Sequence, residues 1–277
     1  MNAKKLHVAV AQIHASGGVS ETLARAELQI AAASAVGADV ILFSEVCLHG
    51  YDYDLTAASV RRLAEPYDGP GCRRVVALAR KYRIAVLMGF WENAGNQIFN
   101  SHLVAWPDGR RAVQRKHRLT AGEHRAGVAA GSPERCVFVF CGVRTAIVIC
   151  ADSGMRGLFR MLHGLGVQYR FCPTAGGGRM AEMMRARDIK TPQGRRLYRR
   201  LRRRVFNPEA LIRPKANEQP YIGFASANAL GPVGKRTCHQ GHCMIVDNDG
   251  VMRAQIAGTP VLEHQQDQMI HALLAFA

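Results

Sequence analysis

Two apolar periods alternate along the chain. LHVAVAQI (6–13) is apolar at every second position and predicts a strand, while the alanine-rich stretch 20–36, with Leu23, Leu28 and Ile30, predicts a helix. DVILFSEV (39–46) has the continuous apolar character of a buried strand. Residues 58–66 and 71–82 predict helices. IAVLMGFWE (84–92) and NQIFNSHLVAWP (96–107) predict strands, and PDG (107–109) supplies a hairpin turn. RCVFVFCGVRTAIVIC (135–150) reads as two strands turning near Gly142, followed by a helix over 155–165 and a strand over 167–174. YIGFASAN (221–228), HCMIVDND (242–249), VMRAQI (251–256) and MIHALLAF (269–276) complete the strands.

About a dozen strands interleaved with about five helices define an α/β protein. Parallel crossovers and hairpins both occur, so the sheets are expected to be mixed. No internal repeat and no Pro/Gly-rich linker divides the 277 residues, which predicts a single domain over 1–277. No apolar run reaches the roughly 18 residues of a membrane span. MNAKKLHVAVAQI lacks the apolar core and cleavage site of a signal peptide. Eight scattered cysteines without a C-x-x-C pair point to reduced thiols and a cytoplasmic location.

Charge adds one feature. Residues 179–213 hold eleven Arg and Lys190 against Glu182, Asp188 and Glu209, a net of +9 out of +16 for the whole chain. Within it, 195-RRLYRRLRRRVF-206 sets Leu197, Leu201 and Val205 on one stripe of a basic helix. Such a helix either docks its stripe on the domain and solvates its charges, or meets nucleic acid, an acidic partner or an anionic substrate. Its aromatic content, Tyr198 and Phe206, is too low for base stacking.

The chemistry turns on 143-VRTAIVICADSGMRG-157, where a β-branched run ends on Cys150. Cys150 and Arg156 satisfy C-x5-R, a spacing that can wrap a phosphate, but Asp152 inside that loop would repel a dianion. A thiol attacking a carbonyl carbon needs a base and a stabiliser for the oxyanion. Glu45, at the end of the apolar run in DVILFSEVCLHGY, is a carboxylate whose burial would raise its pKa and suit it as a general base. RKHRLTAGEH (115–124) adds Lys116 and Glu123. The third reading is inert packing, which is assigned to Cys47, Cys136, Cys141 and Cys172. The cluster 238-CHQGHC-243 has adjacent Cys and His that converge poorly on one tetrahedral ion, so no metal is expected; nor is any cofactor, and 176-GGG-178 reads as a flexible loop.

ILFSEVCLHGY, RKHRL followed by GE, and IVICADS together resemble the glutamate, lysine and cysteine motifs of the nitrilase, or carbon–nitrogen hydrolase, superfamily. NSHLVAWPDG, VQYRFCPTA, KANEQPYIGFASAN (215–228) and GHCMIVDNDGVM (241–252) extend the resemblance over nearly the whole chain. It implies a four-layer α-β-β-α sandwich of two mixed sheets. It also implies that Cys150 is the nucleophile, Glu45 the general base and acid, Lys116 and the backbone N–H of Ala151 the oxyanion donors, and Glu123 an auxiliary carboxylate. The reaction implied is hydrolysis of a small amide or N-carbamoyl compound through a thioester. Nitrile hydrolysis is the alternative within the family. A lapsed relative, binding nucleic acid or an acidic partner through the arginine helix, is the alternative outside it. A homodimer or larger homo-oligomer is expected, and no membrane. Lysine beside the thiol implies a stabilised thiolate, so Cys150 is expected to alkylate fastest of the eight cysteines.

The sequence departs from the family pattern at Ser44, where proline is common, and at Ala151, where an aromatic usually follows the cysteine. Gln219 and Cys243 replace an asparagine and a serine, and the arginine-rich insertion at about 179–213 is the largest departure. Asp152 resembles the Cys-x-Asp of amidase-like branches.

Overall fold

Apolar runs, most of them buried along their length, give the elements of the computed structural model, which describes residues 3–15, 17–205 and 221–276. The first part of the chain forms β1 (Lys4–Gln12), α1 (Val19–Ala35), β2 (Val40–Leu42), α2 (Ala57–Leu63), α3 (Pro70–Tyr82), β3 (Ala85–Ala94), β4 (Gln97–Ala105), β5 (Arg111–Arg115) and α4 (Ala121–Arg125). The second forms β6 (Phe138–Phe140), β7 (Val143–Ile147), α5 (Leu158–Gly164), β8 (Tyr169–Thr174), β9 (Gly177–Arg179), α6 (Pro192–Val205), β10 (Phe224–Asn228), β11 (Leu230–Val233), β12 (Thr237–Gln240), β13 (Cys243–Val246), β14 (Met252–Ile256) and β15 (Gln268–Phe276).

Two six-stranded sheets result, in the orders β15-β1-β2-β3-β4-β5 and β14-β13-β10-β8-β7-β6. Read from β15 and from β6, both run antiparallel, parallel, parallel, antiparallel, antiparallel. One topology is therefore used twice, although the sequence carries no repeat. The inner faces pack together through Val8, Val10, Val40 and Leu42 of one sheet and Ile147, Phe171, Ala225 and Ile245 of the other. The outer face of the first sheet meets Leu23, Ala26 and Ile30 of α1 and Val75 and Ala79 of α3. The outer face of the second meets Leu158, Phe159 and Leu162 of α5. Each large side chain so buried contributes about 1.5–3 kcal/mol of transfer free energy. This is the α-β-β-α sandwich that the resemblance implied.

Three local expectations change. The strand over 39–46 ends at Leu42, and the chain turns through Ser44 and Glu45. GGG is not a flexible loop: β9 pairs with β12, which pairs with β11, in a small third sheet. Packing accounts for the buried Cys47 and Cys172, whereas Cys136 and Cys141 are exposed.

In α6 the stripe docks only in part. Leu201 is buried against Met184 and Val261, while Leu197 is 36% exposed. The side chain of Val205 and the segment 215–220 of the KANEQP motif lie outside the described residues. Among the described residues no helix is long and apolar enough to cross a membrane.

Candidate active site

Glu45 is placed by a turn rather than by a strand. Past β2 the Glu45 N–H donates to the Thr174 carbonyl at the end of β8 (3.3 Å), which ties the turn to the opposite sheet. Val46 then takes φ +49°, a region costly for a β-branched residue. The Leu48 N–H donates to the Gly89 carbonyl at 2.9 Å, seating the turn flat on β3. Only glycine permits this approach: a Cβ on Gly89 would stand 2.2 Å from the Val46 nitrogen and 2.7 Å from the Ser44 oxygen.

Lys116 follows β5. Its N–H donates to the Asn100 carbonyl and its own carbonyl accepts from Gly131, both at 2.8 Å, and its side chain is fully buried. Glu123 lies on α4, a single helical turn. Thr120 caps that turn, accepting from the Glu123 N–H at 3.2 Å, while the Glu123 carboxylate accepts from the Thr120 N–H at 2.7 Å.

The three charged groups converge. The Lys116 ammonium donates to Glu45 Oε1 at 2.6 Å and to both Glu123 oxygens at 3.0 and 2.9 Å. Asn100 Nδ2 donates to Glu45 Oε1 at 2.8 Å and to Glu123 Oε1 at 2.6 Å. Asn100 is the site residue that sequence reading missed. The available signal was the run Asn100-Ser101-His102 between Phe99 and Leu103 in the middle of a strand, where polar groups are costly unless bonded. Tyr51 closes one side, its hydroxyl 3.2 Å from Thr120 Oγ1 and its ring 5.9 Å from the ammonium.

Cys150 opens a 3-10 turn, Cys150–Gly154, at φ +45°. The Glu45 carboxylate and the Ala175 N–H both act on its thiol, the first raising it and the second lowering it. Ala151 is next in that turn, where backbone N–H groups lack intrahelical partners. Asp152 is buried beneath it, accepting from the N–H groups of His117 and Arg118 at 3.1 and 2.7 Å and lying 3.3 Å from the buried Arg135 guanidinium. Asp152 thus fastens the cysteine turn to the segment that carries Lys116. Arg156 is exposed, away from this arrangement, and C-x5-R forms no phosphate loop.

Burial, then the charge of Glu45, pushes the Cys150 thiol up, and Lys116 pulls it down by less. Lys116 is shared between two carboxylates, which weakens its pull toward a thiolate. Burial also raises the Glu45 carboxyl; Lys116 opposes this and Glu123 adds to it. Burial would lower the Lys116 ammonium, but Glu45 and Glu123 outweigh it and the net shift is upward.

Of the cluster CHQGHC, His239 lies on β12 with its ring nitrogens 2.7 Å from the Tyr51 carbonyl and 3.4 Å from that of Gly176. No group of three metal-ligating side chains is found among the described residues.

A two-sheet sandwich with Glu45, Lys116, Glu123 and Cys150 gathered at the carboxyl ends of its parallel strands defines the class of protein. Residues 7–193 match the family described as carbon-nitrogen hydrolase, and the chain belongs to that family. An (R)-stereoselective amidase of Pseudomonas sp is 28% identical over 130 residues, 47% of this chain and 46% of that protein. An N-carbamoylputrescine amidase of Solanum lycopersicum is 27% identical over 175 residues, 61% and 58% of the two. The chain spans about half the length of the curated relatives it matches. Among solved structures, an amidase from Nesterenkonia sp. superposes with a TM-score of 0.69 at 19% identity, over 98% of this chain and 92% of that one, which is a likeness of fold.

Proposed function

We propose that the protein hydrolyses the carbon–nitrogen bond of a small amide or N-carbamoyl compound through a thioester on Cys150. One observation carries the reading: a buried Glu45 carboxylate, whose charge bears on the Cys150 thiol, shares the Lys116 ammonium with Glu123. In the first step Glu45 takes the thiol proton as sulfur bonds to the carbonyl carbon. The oxygen gains the negative charge and faces the Lys116 ammonium and the Ala151 N–H. Protonated Glu45 then gives its proton to the leaving nitrogen, the carbon–nitrogen bond breaks, and ammonia or an amine departs. Water attacks the thioester while Glu45 takes one of its protons. The second tetrahedral intermediate collapses to the acid, and the proton returns to sulfur.

The two amidase relatives support amide and carbamoyl substrates through the longer matches, 130 and 175 residues, against 96 and 98 residues at 31% identity for an arylacetonitrilase and an aliphatic nitrilase. The test is ammonia release from ω-amides, N-carbamoyl amino acids, aliphatic amides and nitriles, by the native chain and by Cys150→Ala. Release from amides or carbamoyl compounds by the native chain alone is expected. Release from nitriles alone would replace the amide reading, and silence from both chains would remove the catalytic one.

A further inference from the structure

The arginine face of α6 has no use in the site described above. Arg195, Arg196, Arg199 and Arg200 are all exposed, and among the described residues no carboxylate pairs with any of them. Arg195 instead donates to the Lys190 carbonyl at 2.7 Å. The sequence holds no Asp or Glu between Asp188 and Glu209. The pairs Arg195/Arg199 and Arg196/Arg200 stand on successive turns, about 6 Å apart along the axis. Like charges at that spacing destabilise a helix, so the face carries a cost that a polyanion would relieve.

We propose that this face of α6 docks the phosphate backbone of nucleic acid, without reading base sequence. The opposite face fixes the helix to the domain: Leu201 is buried against Met184 and Val261, with Ile189 and Tyr198 around it. The guanidiniums are therefore presented from a seated helix. A lipid surface fits less well, because an interfacial helix buries its apolar face in the bilayer and here Leu201 of that face is already buried against the domain. Duplex DNA carries one negative charge per about 1.7 Å of axis, a density that matches four cations set over little more than one helical turn. Tyr198 is the single aromatic of the helix, so contact is to phosphates rather than to stacked bases.

The test is fluorescence anisotropy of a short labelled duplex DNA of mixed sequence, with the full chain, between about 50 and 200 mM salt. Binding should weaken steeply with salt. The variant Arg195→Gln/Arg196→Gln/Arg199→Gln/Arg200→Gln should lower the log–log salt slope by about 3–4, at roughly 0.9 per lost phosphate contact. The same four positions changed to Lys should keep the slope, since the charges remain. Should the fourfold Gln variant melt early, the paired variants Arg195→Gln/Arg199→Gln and Arg196→Gln/Arg200→Gln are read instead, each lowering the slope by about 2. The proposal fails if the native chain does not bind the duplex, or if the Gln variants keep its slope. It also fails if the arginines are needed for flotation with phosphatidylglycerol vesicles but not for DNA.

Discussion

Gly89→Ala is the substitution that tests whether Glu45 is positioned by backbone contact. The added Cβ would stand 2.2 Å from the Val46 nitrogen, 2.7 Å from the Ser44 oxygen and 2.9 Å from the Glu45 carbonyl carbon. All three are backbone atoms, so no side chain can swing aside. Ordinary van der Waals contact begins near 3.4 Å, so the turn must lift from β3 by about 1 Å. β3 itself is buried and paired on both edges, with β2 and β4, and yields less readily than the turn. A displacement of about 1 Å at a reacting group costs on the order of 100-fold in rate, or about 2.7 kcal/mol of transition-state stabilisation. Overpacking adds about 1–3 kcal/mol of lost stability. The assay is kcat/KM for the substrate found in the ammonia screen, beside a thermal melt. Gly164→Ala is the control, because a Cβ there meets nothing within 4 Å. The reasoning is refuted if Gly89→Ala keeps kcat/KM within a few-fold of the native chain.

Three further outcomes follow from the same contacts. Asn100→Leu removes one donor from each carboxylate; charged hydrogen bonds are worth about 1.5–3 kcal/mol, so kcat/KM should fall roughly 10- to 100-fold. His49 is held neutral by burial, pushed down to about 4, and its Nδ1 accepts the Trp91 N–H at 3.1 Å; His102 is pushed down to about 3. A depressed imidazole contributes stability above its unfolded pKa, near 6.5, that is lost as pH falls toward the folded value. Urea midpoints should therefore drop between pH 6.5 and 4, by up to about 1.4 kcal/mol per pH unit for each ring, and His49→Asn should flatten the slope. Asp152→Ala leaves the buried Arg135 guanidinium without a counter-charge and should cost about 3–5 kcal/mol in the melt, part of it recovered by adding Arg135→Met.

The sandwich was legible in the order of its apolar runs and in the family resemblance. Glu45, at the end of DVILFSEV, is a charge closing an apolar run, which a sequence tolerates only when it pairs, whereas Lys116, among Arg115, His117 and Arg118, was marked by the resemblance. Asn100 and Gly89 were not legible, since an amide or a glycine in a strand has many uses and its partner is set by tertiary approach. TAGEH looked like a loop because one helical turn is shorter than any period; the capping pair Thr120–Glu123 was its signal. The third sheet was hidden for a different reason. GGR and LGPV have poor strand propensity, and packing against Tyr53, Thr237 and His239 decides their pairing. The reuse of one topology in both sheets is invisible in sequence, because each copy buries different side chains.

The remaining question is why a base needs a second carboxylate beside it. With a neutral thiol, the resting centre holds Glu45 and Glu123 against Lys116, a net of one negative charge in a buried place. When Glu45 takes the thiol proton it becomes neutral and the substrate oxygen becomes negative, so on the proposed route the net charge does not change. Lys116 moves one hydrogen bond from Glu45 to the new oxyanion and keeps those to Glu123, which anchors it throughout. Glu123 has a second effect, because its charge raises the Glu45 carboxyl and makes it a better proton acceptor. Glu123→Gln should therefore shift the acid limb of kcat/KM to lower pH while the maximum rate falls, as Lys116 draws onto Glu45 alone. Asn100→Leu should do the opposite to the limb, because the Asn100 amide now lowers the Glu45 carboxyl and its loss lets it rise. The two profiles must separate in opposite directions from the native one. Displacement to the same side in both would mean that the carboxylates are held apart by packing, and that Glu123 does not tune the base.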